Sequence, residues 1–140
     1  MARVVGAWIF SVLITYTLAS AAVSIVNACA IQGLGYPLST GQWSGAIASD
    51  WLSMLQSYLL LIAVGLAIAF VVVSMISRFT SVNGAFYAIA GFVAILTIHL
   101  LMKQLLGMSP VAPARFWYGL MSQGLAGAFG GYFYFRLKAS

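Results

Sequence analysis

Four stretches of this chain, residues 4–30, 51–76, 83–106 and 116–135, are long, continuous apolar runs, and such runs leave few folds open. The hydrocarbon core of a bilayer is roughly 30 Å thick and takes about 20 apolar residues per spanning helix. Inside it every backbone N–H and C=O must be satisfied internally, so a spanning segment is a helix or part of a closed barrel. A barrel needs alternating segments of about ten residues, and these runs do not alternate. The expected fold is all-α: a polytopic, four-helix transmembrane bundle with short loops and one longer outer loop, forming a single domain over residues 1–140. Composition agrees. The chain is 64% hydrophobic and 5% charged, with a mean hydropathy of +1.07, where a soluble domain carries about a quarter of its residues charged. The runs use most of the chain, so any chemistry has to occur in the membrane or at its surface.

The first thirty residues share features with a secretory signal: Arg3, an apolar run and the small-residue stretch "LASAA" at residues 18–22. The run continues well past that site and is long enough to span, so the segment is expected to stay. "VNAC" at residues 26–29 is a poor lipid-attachment box, because Asn27 stands where a small apolar residue is wanted. The single Cys29 allows no internal disulfide and reads as a small packing residue.

Lys and Arg near span ends set topology. With the N-terminus inside and four spans, Arg3, Arg78, Arg136 and Lys138 fall on the cytoplasmic side against Lys103 and Arg115 outside. That bias predicts an integral, multi-pass protein of a bacterial inner membrane with both termini cytoplasmic. Trp8 and "YFYF" at residues 132–135 mark one interface, and Trp51, Trp117 and Tyr118 the other. The one long connection, residues 31–50, is rich in Gly and Ser and reads as an outer loop, part of which, around residues 42–48, suits a short interfacial helix. Asp50, directly before Trp51, is placed to cap the second span, where a carboxylate also meets the positive end of the helix dipole. The short links at residues 77–82 and 107–115 make the remaining helices antiparallel neighbours.

Membrane helices pack through small residues, helped by polar side chains that bond across the interface. Gly84, Ala88, Gly91, Ile95 and His99 share one face of the third span, and Lys103 continues that face one turn nearer the surface, where its stem can snorkel outward. In the fourth span Gly119, Gln123, Gly127 and Gly130 share a face, with Gly127 and Gly131 framing a GxxxG. Gly84, Gly91, Gly119, Gly127 and Gly131 are therefore the expected helix-packing residues. Thr17, Ser20, Ser24 and Asn27 align in the first span, and Ser53, Gln56, Leu60, Ala63 and Ala67 in the second. Counted inward from the outer ends at about 1.5 Å per residue, Ser24, Gln56, His99 and Gln123 all lie roughly 8 to 10 Å deep. They are expected to form one polar layer.

Two meanings attach to such a layer. It is glue, each hydrogen bond worth about 0.5 to 2 kcal/mol, or it marks a ligand, proton or ion path, as intramembrane ionisable residues often do. The ligand or pathway candidates are His99, Gln123, Gln56, Ser24 and Asn27, beneath a cationic rim of Lys103 and Arg115 beside Asp50 that suits a lipid phosphate, a quinone head group or a small anion. Several chemistries are missing. Asp50 is the only acid, so paired-carboxylate catalysis within one chain is excluded. One His and one Cys on different spans are too few for a metal. The net charge of +5 comes from bases scattered singly, which argues against nucleic acid. No catalytic residue, metal or cofactor is expected. The first expectation is a non-catalytic membrane subunit, assembling through its Gly/Ala faces with copies of itself or with larger partners of a transport or energy-converting complex. The alternatives are a small oligomeric transporter or channel with a pathway around His99, and a lipid or quinone binder or enzyme at the outer leaflet.

Overall fold

The computed structural model describes residues 1–107 and 117–140. Among them the chain forms five helices and no strand: α1 (Ala2–Gly33), α2 (Thr40–Ser53), α3 (Tyr58–Ile76), α4 (Gly84–Leu106) and α5 (Trp117–Ala139). Helices α1, α3, α4 and α5 close a ring: α1 and α4 each touch α3 and α5, while α3 and α5 barely meet across the middle, and α2 packs against α1.

Three of these helices, α1, α3 and α4, are long and apolar enough to cross a membrane, which marks a membrane-embedded protein. Four such helices were expected and three are found, because α5 is not long and apolar enough by this measure. It has the same 23 residues as α4, but Gly, Gln123, Arg136 and Lys138 dilute its apolar content, and eight of its residues are buried. A helix wedged between two others meets protein rather than lipid, and close protein contact selects small and polar residues instead of large apolar ones.

The outer connection also differs from expectation. Residues 40–53 form a full helix, started by a capping box in which Ser39 Oγ accepts from Gln42 N at 3.3 Å and Gln42 Oε1 accepts from Ser39 N at 2.8 Å. That start carries the helix through Asp50 and Trp51, and α3 begins only at Tyr58, after residues 54–57, with no side-chain cap. Asp50 therefore sits inside α2 and caps nothing in the second span. At 32 residues α1 is roughly 48 Å long, more than a bilayer core of roughly 30 Å needs, and its outer part is the rail on which α2 lies. Asn83 Oδ1 caps α4 by accepting from Ala85 N at 3.1 Å, and Gly107, at φ 66°, ends it in the left-handed conformation that glycine adopts without penalty.

The expected packing glycines work inside the bundle. A Cβ on Gly91 would overlap the Gly127 carbonyl, one on Gly127 the Gly91 carbonyl, and one on Gly131 the Tyr87 carbonyl, so α4 and α5 touch backbone to backbone. On the other side of α5, Ser11 Oγ donates to Gly130 O at 2.6 Å while Thr15 fills the space a Gly130 side chain would need. Gly84 faces Tyr132 and Phe135, and Gly119 is buried. The faces expected to recruit partners are thus consumed within one chain. α3 instead buries large residues, Tyr58, Ile62, Leu66, Phe70 and Val73. Near the end carrying Arg78 and Lys138, Phe70 stacks on Tyr134 with centroids 4.1 Å apart.

Candidate functional site

Toward the opposite end of the bundle three helices bring polar side chains to one point. The buried residues of α4 are Gly84, Tyr87, Gly91, Ile95 and His99, three or four apart and so on one helical face, which directs His99 at α3 and α5. His99 is 2% exposed, Gln123 0% and Tyr58 4%. Tyr58 stands at the centre. Its hydroxyl donates to Gln123 Oε1 at 2.6 Å and lies 3.3 Å from His99 Nε2. Gln123 Nε2 donates onward to the Ala19 carbonyl of α1 at 3.1 Å, and His99 Nδ1 lies 2.8 Å from the Ile95 carbonyl. All four helices of the ring meet in this chain of bonds.

The two ends of the network are backbone carbonyls, and carbonyls only accept. Working inward from Ala19, Gln123 must present its amide N–H there, hence its oxygen to Tyr58, and Tyr58 must donate to it. From Ile95, His99 must carry its proton on Nδ1. A neutral His99 then has a bare Nε2 facing a hydroxyl whose one proton is already committed. The junction is the longest contact of the four. Satisfying every link takes one proton more than the neutral side chains carry.

A second cluster pins α2 to α1. Ser24 Oγ donates to Asp50 Oδ2 at 2.8 Å, Tyr16 OH donates to the Trp51 carbonyl, and Trp51 Nε1 donates to Thr17 Oγ1 at 3.4 Å. The only carboxylate in the sequence is thus held by a hydroxyl of the first helix.

The structure splits the predicted layer. His99 and Gln123 come together through Tyr58. Ser24 is buried but belongs to the Asp50 cluster, five residues outward of Ala19, roughly 7 to 8 Å along the helix. Gln56 is exposed and Asn27 half-buried. Of the rim, Lys103 is exposed, Asp50 is half-buried against Ser24, and Arg115 lies outside the described residues. Cys29 is exposed. Sequence reasoning missed Tyr58. The stripe through Ser53, Gln56 and Leu60 followed small and amide residues, whereas the buried face of α3 runs through Tyr58, Ile62 and Leu66, and Gln56 lies in the turn before that helix. A hydroxyl standing alone at the head of the run "YLLLIAVGL" was the available signal. Because Gln56 is exposed, Gln56→Leu is expected to leave stability within about 0.5 kcal/mol of the parent, read as an unshifted thermal melt in detergent.

Compared with known proteins, the chain matches no family model, no curated protein and no solved structure.

Proposed function

We propose that this chain is a non-catalytic subunit of a membrane assembly, crossing the bilayer four times through α1, α3, α4 and α5, with both termini on the cytoplasmic side of a bacterial inner membrane. One observation carries the reading: Tyr58, His99 and Gln123 bond to one another and to backbone, each less than 5% exposed. They do not line the grooves between α1 and α3, between α3 and α4, between α1 and α5 or between α1 and α2, marked by residues such as Phe70, Ile89, Phe129 and Ile47. A polar core sealed in this way holds helices in register. It presents no reactive group to a substrate. The contacts of α5 with α1 and α4, and the burial of Gln123 between helices, support a fourth crossing. Arg3, Arg78, Arg136 and Lys138, all on the side the alternating spans make cytoplasmic, support the orientation. With the glycine faces occupied, contact with larger partners falls to the apolar flanks and to α2, which buries no residue.

A tagged chain extracted from its own membranes in mild detergent is expected to migrate with larger proteins in fixed proportion, and His99→Gln to leave that composition unchanged with about 1 kcal/mol of stability lost. Purification as a free homo-oligomer that moves solute in liposomes would overturn the proposal. Transport, the second reading, has the proton count in its favour: the cluster can accept one proton at His99 without breaking a bond. The groups facing His99 are Tyr58 of α3 and Gln123 of α5, with Tyr16 of α1 behind Tyr58, and none is a carboxylate to balance the charge. On that reading His99→Gln abolishes a pH-dependent flux in a folded protein.

A further inference from the structure

At the end of the bundle opposite the Tyr58 cluster, α1 and α3 diverge around a groove of about 470 Å³. Its walls are Val4 and Val5 of α1 and Ala67, Phe70, Val71 and Met75 of α3. Ser74, Tyr134, Arg78 and Trp8 interrupt this apolar lining with polar groups. Arg78, at the end of α3, stands at the mouth, and its guanidinium has no hydrogen-bond or ion-pair partner among the described residues. Deeper in, Trp8 contributes an indole whose Nε1 is buried without an acceptor. The surrounding charge has one sign. Arg3 precedes Val4, and Lys138 lies over the ring of Tyr134, another lining residue, with its Nζ 5.9 Å from the centroid. The chain's one carboxylate is at the far end, bonded to Ser24.

We infer that this groove binds one anionic glycerophospholipid, with an acyl chain laid between α1 and α3 and the phosphate held by Arg78. The wall that α3 contributes from Ala67 to Met75 rises eight residues, roughly 12 Å of helix, a length that fits much of a hydrocarbon chain and that a free phosphate ion leaves unfilled. Basic pockets between membrane helices are common sites for anionic head groups. A second copy of this chain is a poor occupant, since a parallel neighbour would bring another cluster of Arg3, Arg78 and Lys138 against the first with no acid between them.

The test is native mass spectrometry of the full chain, released from a non-ionic detergent and supplied with equal amounts of phosphatidylglycerol and phosphatidylcholine. The expected spectrum shows one retained phosphatidylglycerol per chain in preference to phosphatidylcholine. Arg78→Gln should weaken that adduct about fivefold, while Arg136→Gln, a base at the same end that does not line the groove, should leave it within about twofold. Ala67→Phe, which fills the groove, should abolish the adduct; should that variant fail to fold, the pair of arginine variants decides alone. Equal retention of both lipids, or equal losses in the two arginine variants, would show only diffuse attraction and overturn the site. Displacement by deacylated glycerophosphoglycerol would assign the anion to a free phosphate source. Dimers that vanish with Ala67→Phe, without any lipid adduct, would assign the groove to a second copy. Either result overturns the lipid.

Discussion

A chain carrying Gly127→Leu is expected to lose its fold in mild detergent, with a stability loss of at least about 3 kcal/mol, a large part of the roughly 5 to 15 kcal/mol that typically holds a domain together. The reason is what lies against that glycine. A first carbon at Gly127 meets the Gly91 carbonyl and the Ile95 side chain, and the reciprocal position, Gly91, meets the Gly127 carbonyl. When a new methyl group presses on the tip of a flexible side chain, that side chain moves away. Backbone cannot, so α4 and α5 must separate along their length, and Gly131 against Tyr87 separates with them. Overpacking a well-filled interior usually costs about 1 to 3 kcal/mol, and here four carbons enter a gap with room for none. Association of membrane helices rests on such close contact, because lipid is as apolar as the side chains it replaces. Gly6→Leu is the control, since nothing stands within 4 Å of a Cβ built there. Melting followed by circular dichroism reads the difference; a Gly127→Leu protein that melts together with the Gly6→Leu control would show that α4 and α5 do not meet through these carbonyls.

Tyr58→Phe is expected to destabilise the bundle by about 2 kcal/mol, and Gln123→Leu by only about half as much. This order runs against intuition, because Gln123 makes two hydrogen bonds and bridges two helices. It follows from the proton count. Removing the Tyr58 hydroxyl leaves Gln123 Oε1 buried with no donor and keeps His99 Nε2 without one, and an unmet buried polar group costs about 1 to 3 kcal/mol. Removing the Gln123 amide releases the Tyr58 proton, which can then be donated to His99 Nε2. One mutation orphans a new group and leaves the deficit at His99 in place, whereas the other repairs that deficit while losing two bonds of the modest strength measured between membrane helices, about 0.6 kcal/mol on average. Chemical denaturation of the two variants in mixed micelles measures the order. If Gln123→Leu proves the more damaging, then His99 carries its proton on Nε2 and donates it to Tyr58, and the missing proton lies between Nδ1 and the Ile95 carbonyl, where the loss of Gln123 repairs nothing.

His99 and Gln123 were legible as buried partners because each lies on a face marked by glycines at helical spacing, Gly84 and Gly91 for one, Gly119 and Gly127 for the other. Glycine is a reliable marker of contact in a membrane helix, where close approach of backbones is the main source of association. Helix α3 offers no such marker on its true inner face. It buries Ile62, Leu66 and Phe70, residues as suited to lipid as to protein, so its rotation about its own axis is invisible in the sequence and Gln56 stands out where Tyr58 does the bonding. The expected depth of Ser24 fails for a related reason: α1 extends beyond the expected span and meets α2, a 14-residue helix where a loop with a short helical stretch around residues 42–48 was expected.

Composition and the length of the apolar runs determined, without coordinates, that this chain is helical and membrane-embedded, since the bilayer demands apolar side chains and internally bonded backbone wherever a segment enters it. The tertiary structure alone decided which helix occupies the protein-facing position between two others, and it chose the least apolar one, α5. It alone decided as well that Tyr58 would complete the polar cluster and Ser24 would hold Asp50. Both outcomes depend on how each helix is turned toward its neighbours, and lipid, which rewards every apolar face alike, leaves no record of that rotation in an apolar sequence.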